Sequence, residues 1–241
     1  MRYRLDIAYK GTNYHGWQIQ PNAVSVQGVL NEKISMLLRE TIKTTGSGRT
    51  DTGVHAAKQV VHFDLNQTLD HEFIYKLNKV LPHDISVSNL IQTKNDFHAR
   101  FSATSRAYIY KINTFKDPFL EEQSFLFSKP LDFKLLDEAC EILKSNTNFE
   151  SFSKVKTAVK NFECTIFEVY WIKKEQNIEF HIKANRFLRN MVRSIVGTLL
   201  DLGTNQITIQ DFRNIIASKS RVQAGSSAPA HGLYLTEVNY E

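Results

Sequence analysis

SRAYIYKINTF, Ser105–Phe115, decides the fold, because it starts an order of elements that the chain has already run through once. Its alternation of side chains reads as a strand, with Tyr108 and Tyr110 on one face. The pattern is imperfect, since Ile109 and Ile112 cannot both share the other face with Lys111. Downstream come a helix in DFKLLDEACEILKS, strands in FEVYWIKKE and NIEFHIKAN, a helix from Arg186 to about Leu202, and a strand in LYLTEVNY. TIQDFRNIIAS adds one more helix.

Upstream the same order appears. RYRLDIAY is a strand, and Ser25 caps a helix in VQGVLNEKISMLLRE, whose Val26, Val29, Leu30, Ile34, Leu37 and Leu38 recur at helical spacing. TIKTT is a short strand and KQVVHFDL a longer one. Helix DHEFIYKLNKVL stops at Pro82, and DISVSNLIQT is a strand. Strand–helix–strand–strand–helix–strand, run twice, is the split βαβ or ferredoxin-like order. The expected class is α+β: two such halves side by side, forming a continuous, mostly antiparallel sheet with helices on one face. The irregular segment Lys116–Pro130, with two prolines, separates residues 1–115 from residues 116–241. No low-complexity tract or short repeat is present.

At 241 residues the chain is long enough to bury a good core, and 42% hydrophobic with 23% charged residues is ordinary for a globular protein. A formal charge of +5 leans only weakly toward an anionic partner, so the placement of the charges has to decide. Cys140 and Cys164 form no CxxC or metal-type cluster and read as free thiols of a reducing compartment. MRYRLDIAYK lacks the apolar core of a signal peptide, and no apolar run approaches the length of a membrane span. The chain reads as soluble and cytoplasmic.

Three stretches carry candidate chemistry. GSGRTDTGVHA, Gly46–Ala56, holds one carboxylate, Asp51, near Arg49 and among three glycines that permit close backbone approach. Asp51 can cap a turn, or it can be a catalytic carboxylate with a cation beside it; the stretch alone leaves both open. A phosphate cradle is excluded, since no GK[ST] follows. His55 reads as structural, having no evident second ligand or triad partner. FHARFSATSRAYIY, Phe97–Tyr110, interleaves His98, Arg100 and Arg106 with Phe97, Phe101, Tyr108 and Tyr110. That suits single-stranded RNA, but on the residues alone an amphipathic strand with solvated arginines is the favoured reading. HIKANRFLRNMVRSIVGTLLDLG has five basic side chains between Phe180 and Asp201 and no acid between those two residues. Read as one helix, it places Arg186, Arg189 and Arg193 on one flank, an arrangement that favours a bound anion over mere solvation.

GRTDTGVHA, YHGWQ, FHARFSATSRAYIY, FLRNMVRSIVG and HGLYL, in this order, resemble the tRNA pseudouridine synthase A family. The resemblance runs from about Arg4 to Tyr240. It implies the pseudouridine synthase fold, with an active site in the cleft between the halves, and isomerisation of uridines at positions 38–40 of the tRNA anticodon stem-loop. It also implies a homodimer working without cofactor or metal. The family's nucleophilic aspartate falls on Asp51, its base-packing tyrosine on Tyr108, the arginine that pairs with the aspartate on Arg193, and the arginine beside it on Arg49. Arg186 and Arg189 would hold substrate phosphates. A non-catalytic RNA-binding protein would not need Asp51. A hydrolase of glycosidase type would want a second carboxylate, and Asp64 and Asp70 sit in no comparable motif.

Overall fold

The computed structural model describes residues 1–70, 72–155 and 159–240. It is an α+β protein with a large, mostly antiparallel sheet and, among the described residues, five α-helices. Met1–Thr104 with Leu235–Glu241 form one compact unit, and Ser105–Tyr234 form another.

The first unit contains β1 (Arg2–Tyr9), α1 (Val26–Leu38), β2 (Thr45–Gly46), β3 (His55–Asp64), α2 (Phe73–Val80) and β4 (Ile85–Thr93). β1 lies between β3 and β4, antiparallel to both. Tyr3, Leu5, Ile7 and Tyr9 are buried at the period of two that a strand dictates. The Ser25 hydroxyl accepts the Gly28 N–H and caps α1, which buries Val26, Leu30 and Ile34 four residues apart. The helix stops at Leu38, short of the expected Glu40, because Arg39 turns left-handed at φ 52° and donates its N–H to Ser35.

The expected strand over TIKTT shrinks to Thr45–Gly46, paired with His62 and Val61. Side chains of α1 take the backbone groups a strand partner would have used. The Ser35 hydroxyl accepts the Ile42 N–H at 2.8 Å, the Asn31 carbonyl accepts the Thr44 N–H at 3.0 Å, and Gln27 donates to the Thr44 carbonyl at 2.7 Å.

The second unit contains β5 (Ala103–Asn113, from Ser105), β6 (Phe125–Leu126), α3 (Phe133–Ser145), β7 (Ile166–Lys174), β8 (Asn177–Ala184), α4 (Met191–Gly203) and α5 (Ile209–Ser218). β9 (Leu233–Tyr240) returns to the first unit, beside β3. β8 is antiparallel to both β5 and β7. The core centres on Phe152, with Phe149 and Phe212 each 6.4 Å away, centroid to centroid. Thr208 and Asp211 cap α5 reciprocally. Cys140 and Cys164 are free and buried, and burial pushes their thiols up to about 12 and about 11.

α4 corrects the sequence reading. It begins at Met191, not Arg186, so Arg186 and Arg189 lie in the loop before it and the three arginines share no helical flank. Asn190 is the cause: it adopts φ 66°, which no helix interior accepts, and Met191 N–H closes a turn onto Leu188. Every residue of α4 is buried except Arg193 and Asp201, so the helix is enclosed on nearly all sides, its Ser194 and Thr198 included.

Candidate active site

Asp51 opens a tight turn. The Val54 N–H donates to the Asp51 carbonyl at 3.1 Å, and Gly53 occupies the third position at φ 78°. A side chain there would be strained, which explains the glycine two residues beyond the carboxylate. The loop of YHGWQ lies against this turn. Trp17 N–H donates to the Thr50 carbonyl at 3.2 Å, and Gly53 N–H to the Tyr14 carbonyl at 3.4 Å. Gly16, at φ 81°, approaches so closely that a Cβ would stand 2.4 Å from the Thr50 oxygen.

Buried side chains fix the same loop from below. The hydroxyls of Tyr9 and Thr50 share a hydrogen bond at 2.9 Å. Gln59, with no exposed surface, accepts from the Ser47 hydroxyl and donates to the Gly48 carbonyl at 3.1 Å. Tyr14 donates to Asp84 at 2.6 Å, and burial with this bond holds its phenol well above the ordinary range. His55 is structural: its Nδ1 accepts the Gly11 N–H at 2.9 Å. Asp51 is half-buried and Arg49 exposed. The loop is thus a rigid mount for a carboxylate, the kind of preorganisation catalysis needs.

The second unit carries the other candidates. Tyr108 sits on β5 opposite Ile182, half-buried, with the Phe187 ring edge-on at 5.0 Å. Tyr110, on the same face, is fully buried and donates to the Pro229 carbonyl at 2.8 Å; burial pushes its phenol far up. Of the two tyrosines, Tyr108 is the one that can meet a ligand.

Arg193 is held by its Nε–H, which donates to the Ala228 carbonyl at 2.7 Å. The segment 224–228 runs tightly along α4. Gly225 N–H donates to Thr198 at 3.0 Å and Asn190 donates to Ser227 at 2.6 Å. A Cβ on Gly197 would be 1.7 Å from the Ser226 carbonyl. Arg186 is half-buried. Arg189 is exposed, and its carbonyl accepts the Lys154 N–H at 3.0 Å. Asp51 and Arg49 therefore belong to the first unit, and Tyr108, Arg186, Arg189 and Arg193 to the second.

Gln59, the Tyr14–Asp84 pair and the segment 224–228 escaped the sequence reading. Gly197 inside a helix facing the small residues AGSSA was the available sign of close packing. Among the described residues, no group of three or more His, Cys, Asp or Glu side chains is placed to hold a metal ion. No helix there is long and apolar enough to cross a membrane.

The family model described as tRNA pseudouridine synthase matches residues 7–102 and 139–241. The chain belongs to the tRNA pseudouridine synthase family, isomerases acting on uridines of tRNA. Its relatives carry a more specific name. It is 45% identical over 241 residues to tRNA pseudouridine synthase A of Parabacteroides distasonis, covering 99% of this chain and 96% of that one. With tRNA pseudouridine synthase A of Porphyromonas gingivalis the identity is 47% over 244 residues, covering 99% and 97%. With that of Bacillus subtilis it is 39% over 246 residues, covering 100% of both. Among solved structures, the crystal structure of a Cbf5–Nop10–Gar1 complex aligns over 96% of this chain and 57% of that one. At a TM-score of 0.38 and 11% identity, that likeness is too slight to bear on the fold.

Proposed function

We propose that the protein isomerises uridine to pseudouridine at positions 38–40 of the anticodon stem-loop of tRNA, with Asp51 as the essential carboxylate. The observation that carries this reading is Asp51 on a rigid glycine turn, in a chain that aligns over 99% of its length with the relatives named above.

The reaction breaks the N1–C1′ bond of uridine, turns the base and joins C5 to C1′. C5 loses a proton and N1 gains one, so substrate and product have the same atoms. An ionised Asp51 serves by attacking the sugar carbon or by taking the 2′ proton. Arg193 is its ion-pair partner, delivered in a set orientation by the Ala228 carbonyl. Tyr108 stacks on the uracil or accepts the C5 proton through its hydroxyl. Extruding the base costs roughly a few kcal/mol, and Arg49 offsets part of that by holding the displaced backbone. Arg186 and Arg189 contact phosphates. None of these steps is an oxidation or a hydrolysis, so the reading assigns no cofactor and no metal.

The same reading makes the working form a homodimer, in which two chains of modest charge join their basic patches along one tRNA, and places it in the cytoplasm with that substrate. Free buried thiols accord with a reducing compartment. Incubation with unmodified tRNA, followed by pseudouridine mapping, tests the reaction. A mass-neutral change at 38–40 supports it; released uracil means hydrolysis, and unchanged RNA means a binding protein. Light scattering at working concentration tests the dimer, and a monomer fully active on whole tRNA removes it.

A further inference from the structure

Arg221 is half-buried, and every partner it has among the described residues is neutral. One terminal nitrogen donates to the carbonyls of Ala224 and Gly225 at 3.2 and 3.1 Å, and the other to the Ser227 hydroxyl at 3.0 Å. Burial pulls the guanidinium below its ordinary value. Three charge-assisted hydrogen bonds from one planar fork offset the cost of desolvating it. They tie residues 221–227 into a knot, at one end of the segment that runs along α4.

That segment is fastened along its length. The Ser227 hydroxyl oxygen accepts from Asn190 at 2.6 Å as well as from Arg221, and Gly225 N–H donates to Thr198 at 3.0 Å. Ala228, the next residue, exchanges two hydrogen bonds with Arg193, at 2.7 and 2.9 Å. Beyond it the Pro229 carbonyl accepts from the buried Tyr110 at 2.8 Å. Nor is there slack: a Cβ on Gly225 would stand 2.4 Å from the Asp201 carboxylate. A shift at Ser227 therefore reaches Ala228, and with it the direction of the Arg193 side chain.

We propose that Arg221 is a positioning residue for the isomerisation: its guanidinium knots residues 221–227 and, through Ser227 and Ala228, sets the orientation of Arg193. This role deepens the reading of Arg193 as the partner of Asp51 and rests on it. Because both terminal nitrogens of Arg221 are engaged within the protein, the role needs no contact with RNA.

The test measures single-turnover rates on unmodified tRNA, and tRNA binding, for Arg221→Met and Arg221→Lys in the full-length protein, alone and combined with Arg193→Ala. Arg221→Met keeps the aliphatic stem and loses the fork. It should lower the rate about tenfold and leave the tRNA dissociation constant unchanged. Arg221→Lys should recover only part of that loss, since an ammonium does not reproduce the planar fork. In the Arg193→Ala background neither substitution should slow the reaction further, because the residue through which Arg221 acts is gone. A full additional loss in that background overturns the role, as does a wild-type rate in Arg221→Met. So does weaker binding by Arg221→Met with a salt slope reduced by about one, which would make Arg221 a phosphate contact. Should Arg221→Met fail to fold by circular dichroism, Arg221→Lys carries the same comparison in both backgrounds. Should wild-type protein form no pseudouridine, the functional reading fails separately. Hydrogen exchange at the Ala228 amide then decides: faster exchange in the folded Arg221 variant supports the role, and equal exchange overturns it.

Discussion

Arg193 and Ala228 are joined twice: the Arg193 Nε–H donates to the Ala228 carbonyl at 2.7 Å, and the Ala228 N–H donates to the Arg193 carbonyl at 2.9 Å. The pair locks an extended segment onto a buried helix and aims the one cation that α4 carries. Arg193→Ala should lower turnover by roughly two orders of magnitude, short of the about 3–5 kcal/mol typical when a fully buried charge loses its partner. Binding of tRNA should weaken far less. Arg193→Lys keeps the charge but cannot make the Nε contact, so it should recover only part of the rate. Single-turnover kinetics beside a binding titration check both.

Gly16 has no room for a side chain and sits at φ 81°. Gly16→Ala should therefore displace Thr50 and the Asp51 turn by some tenths of an ångström. Because misplacing a reactive group by about 1 Å can cost on the order of 100-fold, kcat should drop at least tenfold while the far-ultraviolet circular dichroism stays native. A fully active Gly16→Ala protein would show that the turn need not be rigid.

His62 is nearly inaccessible, accepts the Ala99 N–H on Nδ1 at 3.1 Å, and is held down at about 4 by burial and then by Arg2. Its folded value lies below the ordinary 6.5, so the unfolded chain takes up the proton first. Its contribution is complete above about pH 6.5 and declines as the pH falls toward 4. Between pH 7.5 and 5.0 this one group should remove about 2 kcal/mol of stability. Urea unfolding at the two pH values measures it, and His62→Gln should show a correspondingly smaller loss.

Arg189 is exposed in the loop before α4. If it meets phosphate, Arg189→Ala should weaken all tRNAs alike and reduce the slope of log affinity against log salt by about one. An unchanged slope would make Arg189 a merely solvated residue.

Local pattern revealed most of the elements. β1, α1 with its Ser25 cap and the helix α5 were legible because alternation marks the strand, and helical periodicity and a capping residue agree at α1. What failed had non-local causes. The strand over TIKTT lost its partner to side chains of α1, and Asn190 ended what looked like a longer basic helix. The placement of β9 beside β3 joins strands far apart in sequence, which no short window reports. At the candidate site, the aspartate turn stood out through its glycines. The buried Gln59 and the Ala228 clamp did not, because an isolated glutamine or alanine carries no signal until its contacts are known.

Tyr108 separates stacking from proton transfer. Its ring is positioned by Phe187 at 5.0 Å, so Tyr108→Phe should keep that packing and most of the RNA affinity. If the hydroxyl handles the C5 proton, turnover falls sharply. Wild-type turnover in this variant would reduce Tyr108 to a packing role.

The central claim is that the Asp51 carboxylate drives the isomerisation. The most direct measurement is pseudouridine mapping of unmodified tRNA after incubation with pure wild-type and Asp51→Asn protein, alongside tRNA binding by both. The substitution keeps the size of the side chain and removes its charge and basicity, and loss of an anion does not weaken phosphate contacts. The account predicts pseudouridine with the wild type, none with Asp51→Asn, and comparable tRNA binding by the two. Pseudouridine formed by pure Asp51→Asn protein would contradict it.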